Sequence, residues 1–409
     1  MIGNPPYVNI EYIPDEDRKI YKKVCTCFEK RADLFSVFLE KSLTSLSNSK
    51  GVVTFIIPSV IHSNLSYKKL RNLFLDNKWL SEVCYTGGDV FHAPTVDTTI
   101  LRMQKDGNSQ IVLKKALDFA NPKISVVNAD FFSRFNNIIS LGDDSTNSLM
   151  VKLFNNKFKQ LSEDYAVFQG IVTGNNPAFI FDTEEQAIAK GIDVDLLHPL
   201  CHGRDIEKYS VRSRNRRILY VNNDIDIEKW SGTKNWLLNF KEKLETRREV
   251  KRNVIRWYSL QWPRVKSELD LKEKIWIQRT RNESLKTRIV AVLDNHAGYT
   301  SEGILNVIPI NDTANLHFLL GILNSRLINY LFATKFLNLA VKAEYLKQLR
   351  IPILSPASQQ PINQLVNSIL ATKQENPVAD TSEQEHEIDK IVYQLYGLTD
   401  DEIKIIEQQ

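Results

Sequence analysis

Val52-Val53-Thr54-Phe55-Ile56-Ile57-Pro58 is a nearly unbroken apolar run, fenced by the Asn48–Gly51 turn before it and a proline at its end. A half-exposed strand alternates apolar and polar residues, so a run of this kind fits a strand buried on both faces, as in a parallel sheet. On its N-terminal side, apolar residues recur at 34, 35, 38, 39 and 43, a helical period for which Asp33 is a natural N-cap. On its C-terminal side, Tyr67–Asp76 reads as a second helix, followed by a short strand near Val83–Thr86. Helix, buried strand, helix and strand in succession imply an α/β chain, with part of a doubly wound, Rossmann-like sheet. Residues 8–30 read as a loop followed by a short helix, and residues 100–119 as a hairpin-like pair. The turn-rich stretch Leu141–Asn147 marks a boundary.

The chain has 409 residues, enough for two or three domains, and its 43% hydrophobic and 25% charged content is that of an ordinary globular protein. It contains no apolar run of about 18 residues, the length a membrane span needs, and no secretory signal is read at its start. A cytoplasmic location is expected. The four cysteines, Cys25, Cys27, Cys84 and Cys201, lack zinc-site spacing and read as free thiols. Asp224-Ile225-Asp226-Ile227-Glu228 reads as an exposed turn or strand edge, so no metal site is expected.

The first residues are Met1-Ile2-Gly3-Asn4-Pro5-Pro6-Tyr7. Asn4 and Pro5 both precede a proline, which makes the backbone from Asn4 to Pro6 stiff and extended. The prolines have no N–H, so an amide side chain and two carbonyls are on offer beside the flat face of Tyr7. Such a group suits a planar molecule that carries an amine. Asn4-Pro5-Pro6-Tyr7 resembles the catalytic motif of the amino DNA methyltransferases, which move a methyl group from S-adenosylmethionine to the exocyclic amine of adenine. The resemblance implies a target adenine flipped out of the duplex. It also implies catalytic roles for Asn4, Pro5, Pro6 and Tyr7. The Asn4 side-chain oxygen and the Pro5 carbonyl would accept hydrogen bonds from the amine, and Tyr7 would stack on the base. The segment Val90–Ile100 resembles a later motif of the same family. By that likeness Phe91 would hold the base from the face opposite Tyr7, both residues standing at the ends of neighbouring strands.

Between residues 201 and 290 stand 23 Lys and Arg against 12 Asp and Glu, with Trp230, Trp236, Trp257, Trp262 and Trp276 interleaved. In residues 361–409 the balance reverses, with 3 basic against 10 acidic residues. A basic block with aromatic residues is the footprint expected for nucleic acid. The stretch 240–256 also reads as a charge-laced, solvated helix. Several pieces of residues 160–355 resemble a TaqI-like C-terminal target-recognition domain. They are Phe168–Gly174, His202-Gly203-Arg204-Asp205-Ile206, Lys274–Thr280, Val290–Asp294, Gly298–Thr300, Leu320-Gly321-Ile322-Leu323-Asn324-Ser325-Arg326 and Leu346–Pro352. Arg204, Lys274, Arg279 and Arg281 are the candidate DNA contacts. An amphipathic helix from residue 384, ending at Gly397, is expected to pack on protein.

The resulting expectation is a type IIG-like DNA adenine methyltransferase of a restriction–modification system. Residues 1–150 would be the C-terminal half of the catalytic domain. Residues 151–358 would form an α+β target-recognition domain binding double-stranded DNA, and residues 359–409 a helical tail. In relatives with this motif order the S-adenosylmethionine site precedes Asn-Pro-Pro-Tyr. That site is therefore expected largely outside this chain, on an N-terminal methyltransferase half or subunit, and the chain alone is expected to be inactive. The alternative is a non-catalytic DNA-binding specificity module that keeps the motif as a relic.

Overall fold

The computed structural model describes residues 1–29, 32–46, 48–88, 90, 96–135, 137–141, 149–150, 152–153, 157–212, 215–279, 287–335 and 341–408. Its architecture is mixed α/β. Two compact units divide it, Met1–Asn155 with Thr334–Asn338, and Asn156–Ala333 with Leu339–Gln409.

The first unit holds a six-stranded sheet of β1 (Ile2–Gly3), β2 (Val52–Pro58), β3 (Leu80–Gly87), β4 (Thr98–Gln104), β5 (Gln110–Lys115) and β6 (Lys123–Asn128). The spatial order is β1-β2-β4-β3-β5-β6. β1 pairs parallel with β2, β4 lies antiparallel between β2 and β3, and β5 pairs parallel with β3. In β2, Val53, Phe55 and Ile57 are buried while Val52, Thr54 and Ile56 are half-buried, so the run has one core face and one partly covered face. Ile57, Thr99 and Tyr85 are cross-strand partners, as are Val53 and Met103. Burial of each large apolar side chain contributes roughly 1.5–3 kcal/mol.

Helices Phe35–Lys41 and Lys68–Asp76 occupy the positions expected from periodicity. Asp33, however, does not cap the first of them. Its carboxylate instead accepts a hydrogen bond from the Tyr67 hydroxyl at 2.8 Å. The hairpin expected over 100–119 is also corrected: β4 and β5 do not pair, because β3 lies between them, and β5 forms its hairpin with β6.

In the second unit, β8 (Tyr165–Gln169), β14 (Lys274–Gln278), β15 (Ala291–Asp294) and β17 (Ile304–Pro309) form one sheet in the order β15-β14-β17-β8. A second sheet, in the order β16-β10-β13-β9, contains β9 (Ile180–Phe181), β10 (Leu197–Cys201), β13 (Arg217–Leu219) and β16 (Tyr299–Thr300). Two further antiparallel pairs are β7 (Lys159–Gln160) with β18 (Arg350–Ile351) and β11 (Ile206–Glu207) with β12 (Ser210–Val211). Ile171, Phe179, Leu200, Leu219, Leu237, Leu260 and Tyr299 belong to the core built around the second sheet.

The helix expected over 240–256 is broken. Lys241–Glu245 and Arg248–Lys251 are separate short helices, with Arg247 buried between them. Helix Leu316–Asn324 is almost wholly buried, and a Cβ on Gly321 would collide with Ile362 and approach Val366 and Ile388 of the C-terminal helices. Ser382–Leu395 is the expected amphipathic helix, and Gly397, at φ +65°, ends it in the left-handed conformation that favours glycine. No single helix among the described residues is long and apolar enough to cross a membrane.

Candidate functional site

Strand directions place one edge of the first unit's sheet at the centre of interest. β1, β2, β3 and β5 run the same way, so their C-terminal ends share that edge. Open α/β sheets bind ligands there. Asn4–Tyr7 leaves β1 at this edge, Ser59–His62 leaves β2, and Asp97 leads into β4 with its carbonyl accepting the Ser59 N–H at 2.8 Å. β1 and β3 are not neighbours, contrary to expectation, because β2 and β4 lie between them. Phe91 lies outside the described residues.

Within the motif, Pro5 is buried, Asn4 and Pro6 are exposed and Tyr7 is half-buried. Asn4 has no hydrogen-bond partner among the described residues, so its amide is open. Tyr7 is anchored instead. Its hydroxyl donates to the Ile56 carbonyl at 2.9 Å, and its ring meets Phe35 edge-on at 6.4 Å. Burial raises the Tyr7 phenol above its ordinary value, which keeps it a donor. Phe35 in turn packs on Tyr67 with ring centroids 5.0 Å apart. Burial and the Asp33 carboxylate push the Tyr67 phenol up.

Behind the edge, fully buried Arg71 donates to the carbonyls of Ile61 (2.9 Å), Asn64 (2.7 Å) and Asn137 (2.7 Å). These bonds fasten the turn that leaves β2. His62 lies in that turn, and burial and the Arg71 cation push its imidazole down to about 3, so it is neutral. Its Nε2 has no hydrogen-bond partner among the described residues.

The second unit contains a cleft of about 460 Å³. Ile171, Ile180, Leu200 and Ile218 give it an apolar floor, and Asn176, His202, Arg204, Gln278 and Glu302 are among its polar groups. Two loops touch backbone to backbone beside it: a Cβ on Gly203 would stand 2.7 Å from the Gly303 carbonyl oxygen. Only glycine permits that approach. Arg204, the next residue, is exposed and has no charged or hydrogen-bonded partner among the described residues. Arg279 is half-buried, its backbone N–H donating to Gly303 at 2.9 Å and its guanidinium to the Glu302 carbonyl at 3.5 Å. Arg281 lies outside the described residues.

Lys274 is corrected. Its side chain and that of Asp294 are both fully buried, with the charged atoms 3.5 Å apart. The ammonium also donates to the carbonyls of Leu269 and Leu271 at 2.7 and 2.8 Å. An ammonium held this way serves the fold and has no face to offer DNA.

Residues 1–91 match the Eco57I restriction-modification methylase family, and residues 198–353 match the TaqI-like C-terminal specificity domain. By these two matches the chain is similar to restriction-modification methylases that carry a TaqI-like specificity domain. It is 24% identical over 99% of its length to the type II methyltransferase M.BstVI of Geobacillus stearothermophilus, of which it covers 74%. It is 25% identical over 97% of its length to a putative type II restriction enzyme and methyltransferase of Methanocaldococcus jannaschii, RM.MjaORFECS2P, of which it covers 31%. The type IIL restriction-modification enzyme MmeI, solved in complex with DNA, shares the fold. Its TM-score is 0.68 at 12% identity, and the match covers all of this chain and 56% of that one.

Within residues 198–353 the specificity-domain likeness runs through residues whose role sequence did not disclose. Asn324, buried in the Leu-Asn-Ser segment, accepts the Ala291 N–H and donates to the Ala291 carbonyl, both at 2.9 Å. β15 is a sheet edge, so Asn324 supplies the Ala291 N–H with the partner a strand would give, while the Ala291 carbonyl also accepts the Tyr209 N–H at 3.0 Å. Asn329, one turn further, accepts the N–H groups of Arg288 and Ile289, each at 2.7 Å. The polar residues Asn176 and Glu302 at the cleft carried no sequence signal, since neither stands in a charged run or a chemical motif.

Proposed function

We propose that this chain clamps the target adenine and recognises the DNA in a site-specific adenine methyltransferase of a restriction–modification system. The observation that carries this reading is the open Asn4 amide beside an anchored Tyr7 ring at the C-terminal edge of the sheet. An aryl amine is a poor nucleophile because its lone pair is delocalised into the ring. The Asn4 oxygen and the Pro5 carbonyl, held by a stiff backbone, accept hydrogen bonds from its two N–H groups, favour a pyramidal nitrogen and stabilise the positive charge that develops there. The tether from Tyr7 to Ile56 fixes the plane on which the flipped base stacks, a contact worth roughly 1–3 kcal/mol. Phe91 is the proposed opposing face. In the second unit, Arg204 and Arg279 contact the duplex.

Likeness to these methylases implies S-adenosylmethionine as the methyl donor. The sequence has no glycine-x-glycine turn of the kind that cradles such a donor, which supports a donor site shared with another segment. That site is proposed to lie largely on a partnering methyltransferase segment or subunit. The test is transfer of labelled methyl to adenine-containing duplex, by the chain alone and with its companion polypeptide. N6-methyladenine formed only with the companion supports the reading. DNA binding without methyl transfer under any pairing would leave a specificity module with a relic motif, and donor binding by the chain alone would overturn the shared-site assignment.

A further inference from the structure

We infer that residues 248–252 form a separate, sequence-indifferent anchor for the DNA backbone at the outer lip of the recognition cleft. The inference rests on the reading of the second unit as DNA-binding and adds a surface to it. Arg247 and Arg248 are adjacent in sequence but have opposite fates. Arg247 is buried, and its guanidinium donates to four carbonyls: Leu244 (2.9 Å), Thr173 (3.2 Å), Ser259 (2.8 Å) and Trp257 (2.7 Å). No carboxylate is among these partners, and desolvation lowers its pKa. This buried cation pins the segment to Thr173, which lines the cleft.

Arg248, Lys251 and Arg252 stand on the exposed side of the pinned segment, without ion-pair or hydrogen-bond partners for their side chains among the described residues. The nearby acids are engaged elsewhere. Glu245 pairs with Lys241 at 3.7 Å, and Glu249 accepts from Gln261 at 3.0 Å. A solvated charged face usually offsets its own charge with interleaved acids. Here three cations within five residues stay uncompensated on a backbone held rigid by Arg247. The chemistry that complements them is a line of phosphates. Contacts of that kind position a protein on a duplex without reading sequence.

The test is equilibrium binding of the full chain to two duplexes of unrelated sequence across a series of KCl concentrations. The variant is the triple substitution Arg248→Ala, Lys251→Ala, Arg252→Ala, whose side chains are exposed, and Arg248→Lys with Arg252→Lys keeps the charge. Each lost phosphate contact should flatten the slope of log K against log salt by about 0.9, so the alanine variant should be shallower by about 2 to 3 on both duplexes. The lysine variant should keep the original slope. Salt-dependent binding by the wild type with an unchanged slope in the alanine variant would overturn the anchor while leaving the DNA reading intact. Absence of DNA binding by the wild type would overturn both.

Discussion

The two units place their charged and polar groups in opposite ways. In the first, the proposed functional groups are four consecutive residues at the end of a two-residue strand, so the chain delivers them as one piece. In the second, Arg204, the neighbours Gln278 and Arg279, and Glu302 come from three separate stretches of chain, and backbone contacts such as Gly203 against Gly303 hold them together. Local stiffness can encode a clamp that must meet one invariant group. A surface that must match a duplex is set by how strands pack, and its charges divide between those that hold the fold and those left facing out. Lys274 and Arg204 are the two outcomes.

The largest effect should come from confusing those outcomes. Lys274→Ala strands Asp294 as a buried, uncompensated charge and should destabilise the second unit by about 3–5 kcal/mol, seen as an earlier urea transition. If Lys274→Ala instead left stability unchanged and weakened DNA binding, the division into structural and outward-facing cations would fail. Asn4→Ala, in the complete methylating assembly, should lower transfer by about 100- to 1000-fold with duplex affinity retained. Parallel loss of affinity in a binding titration would make Asn4 structural.

A smaller effect concerns pH. Folded His62 stays neutral down to about 3, whereas in the unfolded chain it titrates near 6.5. The unfolded state therefore binds more protons between those values. The contribution is fully present above about pH 6.5 and is lost as pH falls, by on the order of 2 kcal/mol at pH 5. Urea midpoints at pH 7 and pH 5 should drop less for His62→Gln than for the wild type. Smallest is Tyr7→Phe. It removes the tether to Ile56 but keeps the ring, and should cost about 1 kcal/mol, or a few-fold in transfer rate. A loss as large as that of Asn4→Ala would mean that the hydroxyl does more than orient the ring.

What sequence could disclose follows the same division. The run at 52–58 and the flanking helices are local patterns and form where their periodicity puts them, although one face of the strand is only half-buried. The insertion of β4 between β2 and β3 was not legible, because strand order depends on pairing across long loops. Nor was the interior position of Lys274, since a lysine in a basic block looks the same whether it faces water or a buried aspartate 20 residues away. The break at Arg247 was hidden likewise: its four carbonyl partners come from three different stretches of chain.

The contact of Asn324 with Ala291 has a consequence for stability. The outer side of β15 is covered by the chain itself: the Ala291 carbonyl takes a second hydrogen bond, from the Tyr209 N–H at 3.0 Å, and Ala291 and Asn324 are both buried. The Asn324 amide thus lets a helix seal a strand edge where no further strand pairs. Replacing it with leucine would keep the volume but leave the Ala291 N–H buried and unpaired, at a cost of about 1–3 kcal/mol that should show as a lower melting temperature.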